Sequence, residues 1–234
     1  MERLKKTKTA AKEYDLLCSF DSPRIIRPKG VREDCLVLPY YKERAADGIA
    51  GYCTEREAWR FLHDVSEGLA YIHSKGLIHM DIKPSNILID RNGYVITDFD
   101  MEYDEDSHAF NPPEWDKNRR NLSKKSDIWS LGASAFNLIM GVKIFNGYGG
   151  RAQQKETPVP SLRSDRYSHE LISLLNRCLD WNPDKRPDAE EIVATADRML
   201  MKKSRVKEKP ITLVKECHPY DKVWPEDITD TGII

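Results

Sequence analysis

The sequence predicts an α+β fold in which helices dominate and the strands are few and short. Residues 54–76 carry an apolar stripe at helical spacing, and residues 126–140 are apolar nearly all round, which is typical of a helix buried inside a larger body. Between them, two short apolar runs flank an Asn-Gly pair at positions 92 and 93. That pattern indicates a tight β-hairpin.

Composition limits the possible functions. A chain of 234 residues with 40% hydrophobic content suits one large domain or two small lobes. The net charge of −1 gives no bulk attraction to nucleic acid or to an anionic membrane, and no apolar run is long enough to span a bilayer. Five scattered cysteines without a C-x-x-C pair argue against a disulfide framework and a zinc site. We therefore expect a reducing, cytoplasmic setting.

The first fifty residues alternate between short elements. Residues 9–20 place apolar side chains on one helical face, and Ser22-Pro23 ends that helix. Short strands are predicted at 24–27 and 35–38, and the polar stretch 42–52 reads as a loop or a short helix.

The later elements are helical. Thr54 and Glu57 form a capping box at the start of the clearest helix, and Gly76 ends it. Beyond residue 141, a loop-rich stretch precedes two amphipathic helices at 169–179 and 189–201. From Lys202 onward the chain is charged and interrupted by prolines, so we expect an extended tail.

Polar side chains cluster around the predicted hairpin. The segment 79–100 reads His-Met-Asp-Ile-Lys-Pro-Ser-Asn-Ile-Leu-Ile-Asp-Arg-Asn-Gly-Tyr-Val-Ile-Thr-Asp-Phe-Asp. A tight hairpin brings Asp81, Lys83, Asn86 and Asp98 to one end of a small sheet. A base-like carboxylate, a lysine and two oxygen ligands suit a hydroxyl nucleophile, a phosphoryl group and a divalent cation.

This segment resembles the catalytic and metal-binding loops of eukaryotic-type Ser/Thr protein kinases. The family pattern H-R-D-x-K-P-x-x-N followed by D-F-G stands here as H-M-D-I-K-P-S-N and D-F-D. The resemblance covers about residues 9–201 and implies a protein kinase-like fold. A truncated small lobe would occupy residues 1–41, a mostly helical large lobe residues 42–203, and a tail residues 204–234.

The resemblance implies roles for the polar residues. Asp81 would accept or orient the proton of the substrate hydroxyl, and Lys83 would neutralise the transferring phosphate of ATP. Asn86 and Asp98 would bind Mg²⁺. The nucleotide would lie against residues that belong to the strand 35–38, the segment after it and the hairpin: Leu38, Pro39, Tyr41 and Leu88. These four could equally be ordinary core and edge residues.

Other matches to the family are structural. Asp127 would hold the backbone of the catalytic loop, and Glu114 would pair with Arg186. Glu13 matches the helix glutamate that pairs with a strand lysine. An internal spine would stack Leu17, His79 and Phe99, with His79 packed and not acting as a base.

The sequence also departs from the family. No segment matches the Gly-rich G-x-G-x-x-G loop or the V-A-I-K strand. Lys5, Lys6 and Lys8 lie in the wrong register to replace the strand lysine and belong to no predicted strand. We therefore expect a small lobe with an exposed sheet edge.

Two further differences concern control of activity. Met80 stands where the family has the arginine that meets an activation-loop phosphate, and the segment 99–111 is short. Activation-loop phosphorylation is therefore not expected. Asp100 replaces a glycine, so the metal-binding loop should change conformation less readily.

Three hypotheses follow. The first is a phosphotransferase that moves the ATP γ-phosphate to a Ser/Thr hydroxyl of a protein substrate, with Mg²⁺. The second is a pseudokinase that acts as a scaffold or an allosteric partner. The third is a kinase fragment whose small lobe is completed by an upstream segment or a partner chain. None of the three calls for nucleic acid or membrane binding.

Overall fold

The structure is a computed structural model that describes residues 2–6, 9–41, 46–99, 105–116, 121–153, 159–160 and 166–202. Its N-terminal part contains a three-stranded antiparallel sheet with strand order β1-β3-β2. The strands are β1 (Glu2–Lys6), β2 (Gly30–Arg32) and β3 (Cys35–Pro39). Helix α1 (Ala10–Cys18) follows β1 and packs against β2 and β3.

Two expectations about this sheet are wrong. Residues 2–6 form a strand that was not predicted from the sequence, because Glu-Arg-Leu-Lys-Lys contains a single apolar residue and shows no alternation. The segment 24–27 is not a strand of this sheet. It runs beside the hairpin instead, where Ile26 N donates to Ile96 O at 2.9 Å and Ile96 N donates to Arg24 O at 2.8 Å.

Helix α2 (Glu55–Ser74) confirms the predicted helix and its capping box. Thr54 N donates to Glu57 Oε2 at 2.8 Å, and Glu57 N donates to Thr54 Oγ1 at 3.2 Å. Gly76 follows the helix with φ of 75°, a conformation that glycine adopts without strain. The predicted apolar stripe is buried and contains Trp59, Leu62, Val65, Leu69 and Ile72.

The predicted hairpin is present as β4 (Ile87–Asp90) and β5 (Gly93–Ile96). Its turn lies one residue earlier than expected, at Arg91-Asn92, because Gly93 pairs with Asp90 as the first residue of β5. Asp90 Oδ1 accepts a hydrogen bond from Asn92 N at 2.6 Å and closes the turn. Gly93 has φ of 131° and lies against the carboxylate of Asp64, which leaves no room for a Cβ atom.

The remaining helices form the larger body. They are α3 (Lys124–Met140), α4 (Gly150–Gln153), α5 (His169–Cys178) and α6 (Ala189–Met201). Helix α2 packs against α3, α6 and the hairpin, so the catalytic segment lies on the helical core. None of the described helices combines the length and the apolar character that crossing a bilayer requires. Asp100 and the predicted tail, residues 204–234, lie outside the described residues.

The described cysteines differ in reactivity. Cys53 and Cys178 are buried, and burial raises the pKa of each thiol to about 12. Because the thiolate is the nucleophile, we expect iodoacetamide at about pH 8 to leave both unmodified in the folded protein. The exposed Cys18 should be alkylated. Peptide mass spectrometry checks this, with the urea-denatured protein as the control in which all three react. Alkylation of Cys53 as fast as Cys18 in the folded protein would contradict the assignment.

Candidate active site

The catalytic-loop residues come together around a single turn of 3₁₀ helix at Pro84–Asn86. Lys83 Nζ lies 3.2 Å from Asp81 Oδ2. Asn86 Nδ2 donates to the same carboxylate oxygen at 2.8 Å and to Asp81 O at 2.9 Å. Lys83 and Asn86 are buried, whereas Asp81 is half-buried. The structure therefore gathers all three predicted residues, with Asp81 at the accessible side.

Asp127 holds the backbone of this loop, as the resemblance implies. Its Oδ2 accepts from His79 N at 2.9 Å and contacts His73 Nε2 at 2.8 Å, and its Oδ1 accepts from Met80 N at 2.8 Å. Met80 has φ of 67°, a left-handed conformation that costs about 1–3 kcal/mol for a residue other than glycine. The buried carboxylate at the start of α3 fixes that conformation and thereby the position of Asp81.

Lys5, Glu13 and Asp98 form a second cluster. Lys5 Nζ lies 2.8 Å from Asp98 Oδ1 and 3.0 Å from both carboxylate oxygens of Glu13. Glu13 Oε1 also accepts a hydrogen bond from Phe99 N at 3.2 Å. One lysine therefore joins the sheet, helix α1 and the D-F-D segment.

This cluster corrects the expectation that the chain offers no strand lysine. Lys5 lies on β1, opposite Leu36 of β3, and its side chain points towards α1. Glu13 lies only eight positions after Lys5, fewer than in the family pattern, and that spacing argued against the pair. The short connection between β1 and α1 brings the two side chains together, so the contact depends on the fold and not on the spacing.

The charges of the second cluster set the protonation state of Lys5. Burial alone would lower the pKa of Lys5, but the hydrogen bonds and charges of Asp98 and Glu13 outweigh burial and raise this pKa above its usual value. Lys5 is therefore a cation at every physiological pH. Its charge is available to a phosphate group that approaches Asp98.

His79 is a neutral, packed residue, as expected. Burial lowers the pKa of His79, despite the opposing charges of Asp127 and Asp81. Asp81 N donates to His79 Nδ1 at 3.3 Å, so the proton of the neutral ring lies on Nε2, which faces Thr97 O at 3.2 Å. Both ring nitrogens are thus engaged with the backbone.

The expected spine is partly visible. The rings of His79 and Phe99 lie 4.6 Å apart, and Leu17 is buried in the same core. Phe20, which was predicted on the apolar face of the helix at 9–20 but not as part of the spine, contacts Phe99 with tilted rings whose centroids lie 5.2 Å apart. Phe20 lies just beyond the end of α1, where its N donates to Leu17 O at 3.3 Å, so the turn after the helix brings it to Phe99.

The residues that were predicted to line the nucleotide lie on β3, just after it, and on β4. Leu38 and Leu88 are buried in one apolar core. Pro39 ends β3, and Tyr41 follows it half-buried, with burial and then the charge of Asp90 raising the pKa of the Tyr41 phenol. No contact in the described structure distinguishes a nucleotide site here from ordinary packing, so the nucleotide assignment of these four residues stays a prediction.

The donor set at this end of the hairpin fits Mg²⁺. Asn86 turns its Nδ2 towards Asp81, which leaves its amide oxygen as the atom able to ligate a cation. Asp98 adds a carboxylate whose side chain is one-third exposed. Magnesium prefers one or two such oxygens together with phosphate and water oxygens.

Comparison with known proteins agrees with this geometry. Residues 1–196 match the protein kinase domain family. The chain belongs to this family.

Individual relatives carry kinase names. The chain is 29% identical over 210 residues to MAP kinase kinase kinase mkh1 of Schizosaccharomyces pombe, covering 77% of this chain and 19% of that protein. It is 31% identical over 202 residues to dual specificity protein kinase zak2 of Dictyostelium discoideum, covering 77% and 30%. It is 34% identical over 174 residues to serine/threonine-protein kinase pim-2 of Danio rerio, covering 67% and 54%.

The protein kinase fold predicted from the sequence is thereby confirmed. The match begins at residue 1 and so includes β1 with Lys5, the strand that the sequence analysis overlooked. The chain spans between about one-fifth and about half of the length of these three relatives.

Proposed function

We propose that this protein kinase domain transfers the γ-phosphoryl group of ATP to a serine or threonine hydroxyl of a protein substrate. The observation that carries the proposal is the cluster of Lys5, Glu13 and Asp98, because Lys5 joins the sheet to Asp98 at 2.8 Å and to Glu13 of α1 at 3.0 Å. Phosphoryl transfer needs positioned charges more than covalent chemistry. A kinase domain that no longer transferred phosphate would not require this cluster beside an intact Asp81, Lys83 and Asn86.

Each residue has a role that its surroundings support. Asp81 orients the substrate hydroxyl and takes its proton, and Lys83 neutralises charge on the transferring phosphoryl group. Lys5 binds the phosphates that remain on the nucleotide. Asn86 and Asp98 would hold Mg²⁺, which when bound neutralises the negative charge of the phosphate oxygens.

Specificity for Ser/Thr rests on one residue. Lys83, two positions after Asp81, is the residue found in the Ser/Thr form of the catalytic loop, and its Nζ contacts Asp81. Among the relatives, pim-2 is named a serine/threonine kinase and zak2 a dual specificity kinase. We favour serine and threonine for this chain because of Lys83.

We also propose the division into a small lobe (1–41), a large lobe (42–203) and a tail (204–234). Unpaired Cys18, Cys35, Cys53 and Cys178 support a reducing, cytoplasmic setting.

Replacing Lys5 with methionine tests the cluster. We expect Lys5→Met to weaken ATP binding at least about tenfold, since charge-assisted contacts to phosphate are worth roughly 1.5–3 kcal/mol. Titrating ATP with Mg²⁺ in a thermal-shift assay measures the affinity, and incorporation of labelled phosphate into a generic protein substrate measures the transfer.

Lys29→Met is the matched control, because Lys29 is an exposed lysine that contacts only Glu2, at 3.8 Å, among its described ion-pair partners. The double variant Lys5→Met/Glu13→Gln separates lost binding from the cost of an unpaired buried carboxylate. Equal ATP affinity in Lys5→Met and wild type would contradict the proposed phosphate-binding role of Lys5. A wild-type protein that binds ATP without any transfer would favour the pseudokinase hypothesis.

A further inference from the structure

Strand β1 carries two cations on the same face of the sheet. Side chains alternate along a strand, so Arg3 and Lys5 point to one side and Leu4 to the other. The register agrees, because Arg3 lies opposite Leu38 and Lys5 opposite Leu36. Since Lys5 contacts Asp98, Arg3 shares the face that is turned towards the candidate active site.

On the opposite face, Glu2 pairs with two of the described cations. Arg32 of β2 lies 3.1 Å from Glu2, and Lys29 lies 3.8 Å from the same carboxylate. Arg3 is exposed, and within the described part of the chain no carboxylate forms an ion pair with it. An unpaired guanidinium beside Lys5 adds positive charge where an anion approaches.

The register also places Arg3 along the path of a nucleotide. Residues two apart on a strand are separated by roughly 6.7 Å. Lys5 lies at the Asp98 end, and Arg3 lies opposite Leu38, next to the Pro39–Tyr41 segment where the base is predicted to lie. A nucleoside triphosphate that extends from that segment to Asp98 would pass both side chains.

We propose that Arg3 is a second phosphate-binding residue, whose guanidinium contacts the polyphosphate of a nucleoside triphosphate beside Lys5. This inference rests on the proposed function. Guanidinium groups bind phosphate through two parallel N–H···O bonds, whereas an ammonium group acts as a point charge. Arg3 therefore supplies directional contacts from the sheet, in a sequence that contains no Gly-rich phosphate loop.

Isothermal titration of the full chain tests the inference with three probes: ATP with Mg²⁺, inorganic tripolyphosphate, and adenosine. Arg3→Met should weaken ATP and tripolyphosphate binding about tenfold, the loss expected for charge-assisted hydrogen bonds, and leave adenosine binding unchanged. Arg3→Lys should fall between wild type and Arg3→Met. Arg32→Met, which removes an arginine from the opposite face, should match wild type.

Every other outcome contradicts the role of Arg3, the proposed function, or both. Unchanged ATP and tripolyphosphate affinity in Arg3→Met overturns the role of Arg3 and leaves the proposed function standing. If Arg3→Met weakens adenosine binding as much as ATP binding, the phosphate role is overturned, because Arg3 then contacts the base. If Arg3→Met binds ATP more tightly than wild type, the phosphate role is also overturned, because Arg3 then obstructs the site. If the wild-type protein binds tripolyphosphate but not ATP, the proposed function is overturned, and the comparison of Arg3→Met with wild type still tests the role of Arg3. If the wild-type protein binds neither, both the proposed function and the role of Arg3 are overturned.

Discussion

Replacing Asp81 with asparagine should lower the rate of phosphate transfer about 10²–10⁴-fold, the range that a positioned acid–base group contributes. The amide cannot take the proton of the substrate hydroxyl, but it keeps the size and shape of the carboxylate. Asn86 can still donate to the side-chain oxygen at position 81, and its bond to the Asp81 backbone is unaffected. The loop geometry should therefore survive while the chemistry is lost.

Nucleotide binding should change little in this variant. Asp81 contacts Lys83 and Asn86, whereas the lysine that we assign to the nucleotide phosphates is held by Glu13 and Asp98. We expect the dissociation constant for ATP with Mg²⁺ to stay within about threefold of wild type, a change of less than 1 kcal/mol. Labelled-phosphate transfer and isothermal titration on the same preparation separate the two effects.

Asp184→Asn is the matched control, since Asp184 is an exposed aspartate in the turn before α6 and has no place in the proposed chemistry. Its transfer rate should equal that of wild type. If Asp81→Asn also transferred phosphate at the wild-type rate, another group would have to act as the base, and our assignment of Asp81 would fail.

The sequence was informative wherever the determining interactions are local. The capping box at Thr54 and the helices α2, α3, α5 and α6 depend on residues a few positions apart, and the predicted spans match closely. Helix α4 is the exception, because it lies in a stretch that was expected to be loop. The set Asp81, Lys83 and Asn86 was equally predictable, because one 3₁₀ turn joins them. Asp127, 46 positions after Asp81, could be assigned only through the resemblance to kinases.

The errors lie where a partner distant in sequence decides the structure. Strand β1 has one apolar residue and is a strand because β3 pairs with it. Segment 24–27 has the composition of a strand but pairs with β5 through Ile25 and Ile26. The contact between Lys5 and Asp98 spans 93 positions, and no local pattern announces it.

Replacing Arg186 with methionine should lower the free energy of unfolding by about 3–5 kcal/mol, the usual cost of breaking a buried ion pair. The Arg186 side chain is 0% exposed and makes a two-pronged contact with Glu114, at 2.7 and 2.9 Å. Its remaining N–H groups donate to three backbone carbonyls, those of Lys125, Asp180 and Trp181. All five donors are used, and methionine would supply none of them, so each of these acceptors loses its bond to Arg186.

Urea unfolding followed by circular dichroism measures this loss, and Arg177→Met provides the control. Arg177 pairs with Glu191 at the same distance of 2.7 Å, but both side chains are nearly half exposed. Exposed pairs contribute roughly 0–1 kcal/mol, so the control should stay within that range of wild type. If Arg186→Met does not fold, Arg186→Lys serves instead, because lysine keeps the charge but cannot supply five donors in a plane.

Replacing Arg186 should also disturb the candidate active site. Glu114 accepts a hydrogen bond from Ser126 at 2.8 Å, and Ser126 precedes Asp127, whose carboxylate fixes the backbone of His79 and Met80. A cycle of Glu114→Gln, Arg186→Met and the double variant isolates the pair, because the double variant leaves no buried charge without a partner. We expect the double variant to be more stable than Arg186→Met alone. If the losses of unfolding free energy in the two single variants simply add in the double variant, the two side chains are not directly coupled. If Arg186→Met loses no more stability than Arg177→Met, burial does not strengthen the ion pair.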